Sequence, residues 1–118
     1  MAYELVIGDQ AYQLTATSQD GQWTAYAVRA GSGDRFGAHF TGPTEADAIA
    51  RLTAWLGWQR EHAVALAVLQ SAEQAFHRTI AGSAFVNASE AVESQQESLN
   101  EVEAARVRLD EVRARQPV

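Results

Sequence analysis

Histidines are the side chains best suited to proton transfer or metal binding near neutral pH, and this chain has three, His39, His62 and His77. His39 falls on the strand face opposite Phe36, Ala38 and Phe40, with no acid beside it in the pattern. His62 and His77 lie on one predicted helix, about 22 Å apart at 1.5 Å per residue, too far to share a metal. Glu73 and His77 share a helix face at i,i+4 spacing. A carboxylate–histidine bundle needs matching pairs from neighbouring helices, however, and the second predicted helix has no histidine. Cysteine is absent, which excludes thiolate zinc sites, iron–sulfur clusters, disulfides and cysteine nucleophiles together. Ser32 sits in Gly31-Ser32-Gly33 without the strand–turn–helix frame of a nucleophile elbow. The same loop is no phosphate cradle, because no helix follows it and the chain has no lysine. Asn87-Ala88-Ser89 matches a glycosylation sequon, but its position before a helical run reads as a cap. The sequence therefore predicts no catalytic residue, no cofactor-binding residue, no metal ligand and no enzymatic activity.

The elements that carry these residues divide the chain in two styles. Residues 2–41 alternate as half-buried strands do. Tyr3, Leu5 and Ile7 share a face; Gly8-Asp9-Gln10 turns the chain; Tyr12, Leu14 and Ala16 repeat the pattern; Gln19-Asp20-Gly21 turns it again. In the third run Trp23, Ala25 and Ala27 oppose Tyr26 and Val28, so both faces are apolar and the second predicts a cover. After a glycine loop, Phe36, Ala38 and Phe40 point inward on a fourth strand. The expectation is an antiparallel meander of three to four strands.

At Thr41-Gly42-Pro43-Thr44 the period changes to that of a helix. Thr44 is an N-cap, and Glu45 and Asp47 suit the positive end of the helix dipole. Apolar residues from Ile49 to Ile80 recur at helical spacing without a proline, which predicts one helix over 44–81, with Gly57 as the point where it could bend. Asn87 with Glu90 three residues on resembles a capping box and opens a second helix over 88–115. Glu90, Glu93, Glu97, Glu101 and Glu103 precede Arg106, Arg108, Arg113 and Arg115, as the dipole prefers. Its apolar stripe, Val92, Leu99, Val102, Leu109 and Val112, is thin and near heptad spacing. Such a helix needs a neighbour. Folding about residue 84 predicts an antiparallel hairpin with Val92 near Phe76, Leu99 near Leu69, Val102 near Leu66 and Val112 near Leu56. The fold class is thus α+β, a small sheet followed by a helical hairpin, with residues 1–118 expected to form one domain.

Composition narrows the partners. A net charge of −6, with nine arginines as the whole basic complement, disfavours nucleic acid. Alanine-rich, lysine-free usage suggests a GC-rich bacterial genome. No run approaches the ~20 apolar residues of a membrane span, and Met1-Ala2-Tyr3-Glu4-Leu5 has no basic or long apolar stretch, so a cytoplasmic protein is expected. The acidic first half of the second helix reads as a solvated face. Trp55 and Trp58 share a helix side. A sheet core accounts for Trp55 and Trp23, while Trp58, at the edge of the stripe, is placed to anchor a partner. Trp55, Trp58, His62, Ala63, Val64, Ala67 and Val68 form the candidate interface. The expected partner is a second copy in a two-fold dimer.

Residues 23–48 also carry a family likeness. Trp23-Thr24-Ala25-Tyr26-Ala27-Val28, a glycine loop, Phe36 to Phe40, and Thr41-Gly42-Pro43-Thr44-Glu45-Ala46-Asp47-Ala48 resemble the N-terminal half of HicB-type antitoxins. In that family a small sheet of truncated ribonuclease H-like form runs through a threonine-capped turn into an amphipathic helix. The resemblance implies an alternative function, a regulatory protein that binds and caps a small toxin. The chain departs from the family where a helical hairpin replaces the DNA-binding element and the usual loop is missing, so DNA binding does not carry over. The leading expectation is a non-enzymatic protein-interaction module that self-associates through its hairpin.

Overall fold

A computed structural model describes residues 2–82 and 87–117. Four strands, β1 (Ala2–Ile7), β2 (Gln10–Gln19), β3 (Gln22–Arg29) and β4 (Arg35–Gly42), precede two helices, α1 (Glu45–Gly82) and α2 (Ala88–Ala114). The chain divides into two compact units, one reaching to Arg60 and one spanning Glu61–Gln116, so α1 contributes to both.

The first unit is an antiparallel meander in the order β1-β2-β3-β4. Two-residue turns set its registers: Ile7 pairs with Gln10 and Gln19 with Gln22. Asp20 and Gly21 both have positive φ, 55° and 78°, the combination that matches the right-handed twist of paired strands. The alternation predicted from sequence puts Tyr12, Leu14, Ala16, Ala25 and Ala27 on the buried face, where Ala48, Leu52 and Leu56 of α1 cover them. Alanines on β3 allow the helix to approach, and leucines on α1 fill the space they leave.

The helix entry is fixed by its cap. Thr44 Oγ1 accepts from the Asp47 N–H at 3.1 Å, and the Arg51 guanidinium donates to the Thr41 carbonyl at 3.1 Å. The Tyr3 hydroxyl donates to Glu45 Oε1 at 2.7 Å. That hydrogen bond to the carboxylate holds the phenol above its usual pKa.

One strand departs from simple alternation. Phe36 pairs with Ala27 and Phe40 with Ala25, so Gly37, Ala38 and His39 span what Tyr26 spans alone. This bulge corrects the inward placement expected for Ala38, which is exposed together with His39. Phe36 and Phe40 stay on the core side. The Trp55 ring lies against both, at 6.0 and 5.9 Å between centroids, and directly over Gly37, whose φ is +79°. On the opposite sheet face the cover expected for β3 comes from within the sheet: the Arg35 guanidinium lies 4.0 Å over the Tyr26 ring.

Candidate protein-interaction surface

The second unit is built from the C-terminal part of α1 and from α2. Asn87 caps α2, its Oδ1 accepting from the Glu90 N–H at 2.8 Å. That hydrogen bond is the structural use of the Asn87 side chain. The buried seam consists of Ala65 and Leu69 on α1 with Val102, Ala105, Leu109 and Val112 on α2.

Polar contacts define the register of the two helices. The Thr79 hydroxyl donates to the Ala75 carbonyl at 2.9 Å, so across the 3.1 Å contact with Ser98 it is the serine that donates. Nearer the other end, Arg113 Nε donates to His62 Nε2 at 3.4 Å, which makes that ring nitrogen an acceptor. Arg115 meets Glu61 at 3.5 Å, but both side chains are about half exposed and the pair adds little stability. These contacts correct the hairpin expected from a fold about residue 84. Each α1 residue faces a position about eight residues, or roughly two turns, further along α2. Leu99 accordingly lies with Phe76, beside Val92, Gln95 and Gln96, and not against Leu69.

Apolar side chains also remain on the outside of this unit. Val64, Val68, Val92 and Val107 are 47%, 52%, 67% and 57% exposed. In the sheet unit, by contrast, only Tyr3 and Val6 are large apolar residues exposed to a comparable degree among the described residues. Most of the exposed large apolar side chains among the described residues therefore lie on the hairpin. Part of it forms a groove of about 540 Å³ between the helices, lined by Val68, Ser71, Ala72 and Ala75 on one side and Glu101, Ala104, Ala105 and Arg108 on the other. Its floor is small side chains and its α2 rim holds one acid and one base.

The candidate interface residues fall in different surroundings. Trp55 belongs to the sheet core, packed on Phe36 and Phe40, so its ring is spent on folding. Trp58 is half-buried in the first unit. His62, also half-buried, is held by Arg113. Ala63, Val64, Ala67 and Val68 are exposed on the outer side of α1, and Val68 enters the groove. The sequence reading missed Ala72, Ala75, Ala104, Glu101 and Arg108. The signal was present as small residues at three- and four-residue spacing on α1, but their partners on α2 could be found only with the true register.

No three His, Asp or Glu side chains converge as a metal site among the described residues. No described helix is long and apolar enough to cross a membrane. No protein-family model matches the chain, and no curated protein or solved structure matches it. The class that fold and surface define is an α+β protein whose helical hairpin carries an apolar groove.

Proposed function

We propose that this chain is a non-enzymatic protein-interaction module that self-associates through its helical hairpin. The observation that carries this reading is the exposed apolar strip Val64–Val68 running into a groove floored by Ala72, Ala75, Ala104 and Ala105. Solvated helices present charged or long polar side chains on their outer faces, and a continuous apolar strip there favours a protein partner. Small floor residues allow a second helix to approach closely, and a two-fold arrangement lets one patch serve both copies.

Sedimentation velocity across a wide dilution range tests the proposal. A dimer that dissociates on dilution is the expected result, and Val68→Glu should shift the protein to monomer. Val68 is half exposed, so this variant should keep its circular dichroism spectrum and melting temperature to within the loss of the dimer itself. A single species of monomer mass at high micromolar concentration overturns the reading.

A further inference from the structure

The groove's rim specifies how two copies would meet, an inference that rests on the self-association proposed above. Glu101 and Arg108 stand two turns apart on α2, about 10 Å along the axis, and both are exposed on the rim of the same groove. Neither takes part in an ion pair among the described residues. Face-to-face docking of two identical grooves has two symmetric solutions. A two-fold axis parallel to the helices would lay α2 of one copy on α1 of the other, and both charges would then meet the apolar side of the groove, against Ala75 and Val68. A two-fold axis in the interface plane but perpendicular to the helices lays α2 on α2 in antiparallel fashion. Passing midway between Glu101 and Arg108, at the level of Ala104 and Ala105, that axis brings Glu101 of each copy to Arg108 of the other. On α1 the same axis falls near Ser71 and Ala72 and sets Val68 over the small Ala75.

We infer that the partner of this groove is a second copy of the chain, docked antiparallel with α2 on α2 and held in register by two reciprocal Glu101–Arg108 ion pairs. Charge complementarity selects this solution, because desolvating an unpaired carboxylate and guanidinium, as the parallel solution does, carries a penalty with no return. The alanine floor brings the helices close enough for the pairs to form at the rim.

Charge reversal tests the inference in the full chain. Glu101→Arg faces each introduced arginine with Arg108, and Arg108→Glu faces each introduced glutamate with Glu101. Each single variant should dimerise about tenfold more weakly or worse. Mixing the two single variants should restore dimerisation as a heterodimer, because every acid then meets a base, and the doubly reversed chain E101R/R108E should regain it as a homodimer. Sedimentation equilibrium with one variant carrying a mass tag reads both. A dimeric wild type whose single variants are unaffected, or are weakened without recovery on mixing, overturns this docking while leaving self-association standing. A wild type that is monomeric throughout removes the underlying proposal instead.

Discussion

Gly37 decides the shape of the sheet core at the scale of a single residue. Its φ of +79° lies in the region that side chains with a Cβ rarely adopt, and a Cβ there would overlap the six-membered ring of Trp55. Gly37→Ala should therefore cost about 2–4 kcal/mol, combining left-handed backbone strain with overpacking. Chemical denaturation checks the magnitude, and the near-UV circular dichroism of the tryptophans should change with it. A loss below about 0.5 kcal/mol would mean that the bulge and the ring do not depend on each other. The sequence made Phe36 and Phe40 legible as core residues, because large aromatics in a strand next to alternating polar positions have few other places to go. It did not reveal that Ala38 turns out to solvent. A strand period of two placed Ala38 with its neighbours, and only the register shift between Ala25 and Ala27 shows that extra residues intervene. The glycine in Phe36-Gly37-Ala38 was the available hint, since an isolated glycine inside a strand pattern often marks a bulge.

The hairpin shows a different kind of ambiguity at the scale of elements. Helix boundaries followed from Thr44, Asn87 and the apolar spacing, because capping chemistry is local and the residues that cap are adjacent to what they cap. Pairing between helices is not local. An apolar stripe repeating every seven residues presents nearly the same face after a slip of one heptad, so matching stripes alone cannot tell one register from the next. The Thr79–Ser98 contact breaks the degeneracy, because a slip of one heptad would part the two hydroxyls by about 10 Å along the helices. The observed register makes distinct energetic demands. Leu69 and Leu109 are buried, with 9% and 3% of their surface exposed, whereas Leu99 keeps 37%. Truncation of Leu69 or Leu109 to alanine should cost about 2–4 kcal/mol, and Leu99→Ala below about 1.5 kcal/mol. Because Leu69 and Leu99 sit about two turns out of register, the double variant should be additive within about 0.5 kcal/mol. Coupling well beyond that value, measured by urea denaturation at one fixed protein concentration, would restore the register in which these two leucines touch.

At the scale of the whole molecule, charge opposes the association that the hairpin surface favours. Each chain carries a net −6, so two copies repel at long range, over about 30 Å at 0.01 M salt but only about 3 Å at 1 M. The proposed Glu101–Arg108 pairs act in the other sense and at contact distance, and added salt weakens them as it relieves the general repulsion. These two terms separate in the variant E101Q/R108Q, which loses one acid and one base and so keeps the net charge of the parent. With its ion pairs removed, only the repulsion remains to be screened. Its dimerisation should tighten steeply as salt rises from 0.01 to 0.5 M, while the wild type, losing pair attraction as it loses repulsion, should follow a shallower slope. The wild type should also be the tighter dimer at the lowest salt, where the pairs are strongest. Sedimentation equilibrium of both proteins over the same salt series measures the two slopes, and parallel lines would mean that no reciprocal ion pairs form across the interface.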